Sequence, residues 1–155
     1  MNDRLAHVIR EATRALVRAL TARLALHGVS FGHWAFLRIL WQRDGLTQRE
    51  LSEMAGVMEP TTFSALKSME QLGFVERRQL PDNRKNVYVY LTPPGRALKS
   101  KLVPLAEEVN RIATRGVRSE DIAATRRTLQ AMLGNLASEP LADPPATRKG
   151  RQEKC

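Results

Sequence analysis

The sequence predicts a mainly α-helical fold with one small β-hairpin, and three observations predict it. Apolar residues recur at intervals of three and four through most of the chain, the signature of amphipathic helices. That period gives way to alternation in one place, where Val87, Val89 and Leu91 alternate with Tyr88 and Tyr90. Glycine and proline punctuate these stretches singly and gather only near the end. A chain of 155 residues suits one domain with tails. A composition of 43% hydrophobic and 26% charged residues excludes a wholly disordered chain and collagen. The single cysteine, Cys155, excludes a disulfide scaffold and fits a cytoplasmic setting. No apolar run reaches the roughly 18 residues of a membrane span, and Met1 to Arg10 carries no apolar signal block.

The elements follow in order. Arg4 to Leu26 reads as a helix with an apolar seam of Leu5, Ile9, Ala12, Leu16 and Ala19, and with Arg10, Arg14 and Arg18 on another face. Gly28 ends it, with His27 beside the last carbonyls. Ser30 caps a second helix, Phe31 to Gln42, in which Trp34, Leu37 and Trp41 share a face; Arg43-Asp44-Gly45 closes it. Thr47-Gln48-Arg49-Glu50 is a capping box that starts a short helix to about Met54. Gly56 permits a turn, and Glu59-Pro60-Thr61 opens a further helix whose expected buried stripe is Phe63, Leu66 and Met69. Gly73 ends that helix. Phe74 to Gln79 and Val87 to Leu91 are extended runs, joined by a longish, turn-rich, basic tip from Leu80 to Asn86. Thr92 caps the next helix and Pro93 begins it, with Leu98, Leu102, Leu105, Val109 and Ile112 as a coiled-coil seam. Pro104 is expected to bend or break this helix near Ser100 and Lys101. Ser119, with Glu120 and Asp121, starts a last helix whose apolar face holds Ile122, Leu129, Met132 and Leu136. From Ser138 the chain reads as a disordered tail.

Lys and Arg number 25 against 16 acids, a net charge of +9. Such a field attracts polyanions, nucleic acid before anionic membrane. The short helix at Thr47 and the helix at Pro60, parted by a tight turn at Gly56, have helix-turn-helix spacing. The second helix of such a pair enters the major groove of DNA, and the hairpin after it is a wing whose basic tip reaches an adjacent groove or its phosphates.

Leu46 to Gly95 resembles the winged-helix core of the multiple-antibiotic-resistance regulator (MarR) family. The resemblance rests on Gly73-Phe74-Val75-Glu76-Arg77, then Asp82-x-Arg84, then Leu91-Thr92-x-x-Gly95. With the matching order of flanking helices it extends over about residues 4–137. It implies a winged helix-turn-helix domain with N- and C-terminal dimerisation helices, acting as a homodimer on a pseudo-palindromic operator. Residues 1–30 would form the N-terminal dimerisation helix, 31–95 the DNA-binding lobe, 96–137 the C-terminal dimerisation helices and 138–155 the tail. The residues point the same way: apolar seams at both ends of a compact centre are expected to bury against a second copy. The expected dimer contacts are Leu5, Ile9, Leu16, Leu105, Val109, Ile112, Leu129 and Leu133.

Thr61, Thr62, Ser64 and Lys67 are expected on the solvent side of the recognition helix, where hydroxyls and one lysine suit phosphate and base-edge contacts. No Asn, Gln or Arg lies between Pro60 and Ser68, so bidentate base reading is sparse and shape readout gains weight. Arg84 is the wing candidate for the minor groove, with Asp82 holding the tip through Arg84 or a backbone donor. Arg77, Arg78 and Lys85 are expected at phosphates, and Gln48 and Arg49 at the backbone. The plainer reading of the wing is a charged edge that resists aggregation.

Regulators of this resemblance respond to small aromatic acids, or to oxidants through cysteine. A sensing thiol needs an electropositive, partly buried setting, which Cys155 on a tail lacks. A pocket beside the second helix would use Trp34 and Trp41 as walls, with Arg38, His33 and His7 as polar groups for an aromatic carboxylate or its thioester. Two tryptophans at this spacing are more often core or dimer packing than a ligand box. No phosphate loop, nucleophile elbow, catalytic carboxylate pair or metal-ligand spacing appears, so neither an enzyme nor a cofactor is expected. A protein- or RNA-binding winged helix is the remaining rival; Tyr88 and Tyr90 would have to stack on bases rather than cover the sheet.

Overall fold

The computed structural model describes residues 4–140. Met1–Asp3 and all but the first residues of the expected tail, Cys155 included, lie outside them. Two helices open the chain, α1 (Leu5–Ala25) and α2 (Phe31–Gln42). Ser30 caps α2 by accepting the His33 backbone N–H at 3.1 Å. A two-residue strand, β1 (Leu46–Thr47), precedes α3 (Gln48–Ala55) and α4 (Glu59–Gln71). Strands β2 (Val75–Leu80) and β3 (Asn83–Leu91) form the hairpin, followed by α5 (Pro93–Ala113) and α6 (Ser119–Ala137). The sheet is antiparallel in the order β1-β3-β2. Strand β1 was not foreseen, because two residues are too few to show alternation.

The chain forms two units, residues 1–113 and 114–155. The first holds one apolar core, to which α1 contributes Leu20 and Leu24, α2 Trp34, Phe36, Leu37 and Leu40, α4 Leu66 and Met69, and α5 Leu98, Leu102 and Val109. The inner ends of the flanking helices are therefore built into the lobe that the hairpin belongs to. The second unit presents α6, in which no residue is buried.

Helix α5 runs through Pro104 without a break, against expectation. Proline removes one hydrogen bond, to the carbonyl four residues earlier. Here Ser100 and Pro104 are both exposed, so water can serve that carbonyl, while Leu102 and Val109 anchor the helix on either side. The wing also differs from a hairpin with a long tip. Leu80 pairs with Asn83, so the turn itself is only Pro81-Asp82, and Arg84 and Lys85 sit within β3. Arg78 pairs with Tyr88, so Gln79 alone stands opposite residues 84–87. The extra residues make β3 bulge, which re-aims side chains as bulges do.

Candidate nucleic-acid interface

The interface begins with the α3–α4 pair. Thr47 and Glu50 close a reciprocal capping box: the Thr47 hydroxyl accepts the Glu50 N–H at 3.1 Å, and Glu50 Oε2 accepts the Thr47 N–H at 2.8 Å. The Thr47 backbone N–H, with help from its hydroxyl and from Arg43, holds the Glu50 carboxyl below the usual carboxylate range against a smaller cost of burial. Gly56, at φ +67°, takes the left-handed conformation that turns the chain into α4.

Which face of α4 reaches outward is decided by packing. The buried positions are Thr62, Leu66 and Met69, not Phe63, Leu66 and Met69. Spacing of four then three follows one face of the helix more closely than three then three, which drifts around it. Thr62 is therefore withdrawn from the expected DNA contacts. Its hydroxyl lies 2.7 Å from the Ser52 hydroxyl in the contact between the two helices. Phe63 instead is 49% exposed. We expect Thr62→Val to cost about 1 kcal/mol in urea unfolding, since it removes a buried hydroxyl pair and leaves Ser52 only the Gln48 carbonyl; Thr61→Val, at an exposed position, should be near neutral.

Thr61, Ser64 and Lys67 are exposed as expected, and among the described residues their side chains have no partner. Arg84 and Lys85 are likewise exposed and unpaired in the bulged strand. Asp82 is exposed too, and its carboxylate takes neither Arg84 nor a backbone donor, so the tip is shaped by the tight turn rather than by that pair. Arg49 is exposed and pairs with Glu53 at 3.2 Å. Gln48 is half-buried, and its Oε1 is enclosed without a partner among the described residues. Two wing arginines are already engaged. Arg78 donates to Glu76 at 2.5 Å and lies over the Tyr90 ring, its guanidinium 4.8 Å from the centroid. Arg77, expected at a phosphate, is bound to Glu70 of α4. Tyr88 and Tyr90 are half-buried in the sheet, so neither offers an open stacking face.

Beside α2 the first unit contains a cavity of about 490 Å³. Trp34 and Trp41 both line it and meet edge to face, with ring centroids 5.7 Å apart. The Arg38 guanidinium lies 5.8 Å from the Trp34 ring, and Lys99 of α5 brings a second cation to the lining. Lys99 was missed because only the packing of α5 against α2 brings it there. Of the other expected ligand residues, His7 is exposed on α1 and His33 is partly buried, and neither lines the cavity. Burial lowers the His33 pKa and favours neutral imidazole, whose Nδ1 has no partner among the described residues. Trp41 serves structure as well as the cavity: its indole N–H donates to the Gly95 carbonyl at 3.0 Å.

The expected dimer contacts divide. Val109 is buried in the chain's own core and Leu105 packs against that core, so both are taken from the list of free contacts. Leu5, Leu16, Ile112, Leu129 and Leu133 remain exposed, and Ile9 is half-exposed. Among the described residues, no helix is long and apolar enough to cross a membrane and no group of side chains is arranged to hold a metal.

A capped α3, a glycine turn, an outward α4 and a basic two-stranded ribbon define a winged helix-turn-helix protein. The MarR family model matches residues 29–87. The HTH-type transcriptional repressor Mb2911 of Mycobacterium bovis is 30% identical over 120 residues, which are 77% of this chain and 84% of that protein. The chain belongs to the MarR family of transcription regulators. The HTH-type transcriptional regulator TtmR of Methylorubrum extorquens is also 30% identical, over 139 residues and 89% of this chain, and the match spans 66% of that longer protein. A mutant MarR of Escherichia coli complexed with operator DNA shares the fold, with a TM-score of 0.78 at 21% identity over 83% of this chain and 93% of that one. These relatives are regulators rather than enzymes, and regulation through DNA is the activity that the family assigns.

Proposed function

We propose that two copies of the chain bind a pseudo-palindromic operator as a repressor, and that a small aromatic carboxylate or its thioester releases them. One observation carries the reading. The recognition helix presents Thr61, Ser64 and Lys67, and the bulged wing of the same lobe presents Arg84 and Lys85, all exposed and with no partner among the described residues. Hydroxyls and a lysine suit the major groove and its phosphates. An arginine on a narrow ribbon suits the negative potential of a narrow minor groove. Two-fold pairing would set two such lobes on one face of the duplex and would require a pseudo-palindromic site.

Dimerisation is supported by α6, 19 residues long with none buried, and by the exposed Leu5, Leu16 and Ile112. Ligand release is supported by the cavity walled by Trp34 and Trp41, which carries Arg38 and Lys99 in its lining. Flat apolar walls take an aromatic ring, and two cations against the single acid of the lining, Glu107, favour a carboxylate. The ligand lowers operator affinity only by as much as it prefers the lobe arrangement that does not fit the operator.

The test starts from duplexes selected by the wild-type protein from a random pool. A pseudo-palindrome should be enriched, and Arg84→Ala should weaken its binding about 10- to 100-fold, most at A/T-rich flanks. Benzoate and benzoyl-coenzyme A are then titrated into the complex, and at least one should weaken it about fivefold or more. Failure to enrich any duplex refutes DNA binding; an unchanged complex with both probes refutes release.

A further inference from the structure

Arg77 starts from the inner row of β2. Val75 is buried, and side chains two apart on a strand share a face, so Arg77 continues that row toward α4. There it meets Glu70. The Glu70 Oε2 accepts the Arg77 backbone N–H at 3.0 Å and the Nε–H at 3.2 Å, while Oε1 accepts from Nη2 at 3.3 Å. The guanidinium also lies 5.2 Å from the centroid of the Phe63 ring. Phe63 and Glu70 are seven residues apart, two turns of one helix face. One side chain of the wing thus spans about 10 Å of the recognition helix. Its own exposure is only 20%. The three donated bonds hold the Glu70 carboxyl below the usual carboxylate range, so the pair is ionised at neutral pH. They also account for an exposed phenylalanine on a helix that reads DNA: the ring is one wall of the arginine's seat.

We infer that Arg77 is a positioning residue that braces the recognition helix against the first wing strand and so fixes the distance between Lys67 and Arg84, rather than a residue that touches DNA. The inference rests on the DNA-binding reading. Helix and wing contact different grooves, and the two contacts reinforce each other only at one separation. The strand is joined to the helix through the Leu72–Phe74 turn and by Val75, which shares a core with Leu66 and Met69; apolar contact of that kind is non-directional and sets the angle between them only loosely. Arg77 adds a directional hold through Glu70 in the last turn of α4, and a second contact through Phe63 two turns back along the helix. Bidentate pairing is what does this, and it is the property that lysine lacks.

The two roles differ in charge arithmetic. A phosphate ligand lost to alanine lowers the slope of log affinity against log salt by about 1. Lysine would largely replace it, and removing Glu70 would free it to bind better. A brace behaves in the opposite way on every count. The duplex selected by the wild-type protein is used as the probe, in binding titrations over a salt series, with Arg77→Lys, Arg77→Ala, Glu70→Gln and the double variant Arg77→Lys/Glu70→Gln. Thermal unfolding and stoichiometric titration with the selected duplex put all affinities on the folded fraction. We expect each single variant to weaken binding about five- to tenfold, with the salt slope of Arg77→Lys and Glu70→Gln unchanged. The double variant should be no weaker than either single one, because one brace cannot be broken twice. Discrimination at the wing-contacted flanks should fall while that at the recognition-helix positions stays. If Glu70→Gln binds as well as wild type or better, or if Arg77→Lys restores wild-type affinity, Arg77 holds a phosphate and the inference is wrong. A uniform loss over all sequences would overturn it as well, since that is the mark of a fold effect. Failure to select any duplex counts against the DNA-binding reading itself.

Discussion

Gly95→Ala should leave the lobe unfolded or nearly so at 37 °C, with a loss of at least about 3 kcal/mol in urea unfolding. The cause is space rather than backbone conformation. A Cβ on residue 95 would sit 2.0 Å from the Phe74 carbonyl oxygen and 3.0 Å from its carbon. The obstacle is main chain, which has no rotamer to change. It cannot move away cheaply either, because the Phe74 carbonyl accepts the Thr92 N–H at 3.1 Å and the Thr92 hydroxyl donates to the Gly73 carbonyl. The Gly95 carbonyl is held in turn by Trp41. Nearby, the Asp44 carboxylate accepts the Leu91 N–H at 2.9 Å and Arg96 Nη2 at 2.7 Å, tying the end of α2 to the end of β3 and the start of α5. The substitution pushes apart the point where wing, α2 and α5 converge. Gly32→Ala is the control: its Cβ would meet only the Ser30 hydroxyl, at 3.8 Å, and alanine suits a helix, so stability should stay level or rise by less than about 1 kcal/mol. An ordinary melting curve for Gly95→Ala would show that α5 does not lie on the wing's root as described.

Replacing Leu133 and Leu136 together by Glu should convert the proposed dimer into monomers and lower operator affinity by about 100-fold or more. These leucines are 69% and 68% exposed, and α6 buries nothing along its 19 residues. In proteins most helical stability comes from packing an apolar face, so α6 needs an apolar partner for its leucines. Two carboxylates placed in such a contact cost more than the loss of the leucines alone. Once dimerisation is lost, the second lobe no longer binds at high effective concentration, which for linked sites is worth a factor of about 100 to 10,000. Sedimentation velocity gives the mass and titration of the selected duplex gives the affinity. The first unit holds its own core, so near-wild-type ellipticity from its helices should remain. A variant that stays dimeric would remove α6 from the interface.

The helices were legible because each carries its own boundary chemistry. Ser30 before α2, the Thr47–Glu50 box before α3, Pro60 in the first turn of α4 and Thr92 before α5 act within three or four residues of themselves. Local chemistry of that kind needs no knowledge of what packs nearby. The wing was legible in kind but not in register: alternation identifies the strand, yet where β3 bulges depends on which residue of β2 it meets.

The candidate site divides along the same line. Which residue types are present, the capping signals, the basic surplus and the order of the elements were determined by the sequence itself, since these are properties of single residues and of neighbours along the chain. Tertiary structure alone decided that Thr62 turns inward and Phe63 outward, that Arg77 is held by Glu70 while Arg84 stays exposed, and that Lys99 joins Trp34 and Trp41 at one cavity. The physical reason is that a side chain's role follows from the partner that reaches it, and those partners come from elements far away in sequence. An arginine reads the same in either strand of the ribbon; only the packed carboxylate on α4 engages Arg77 and leaves Arg84 exposed.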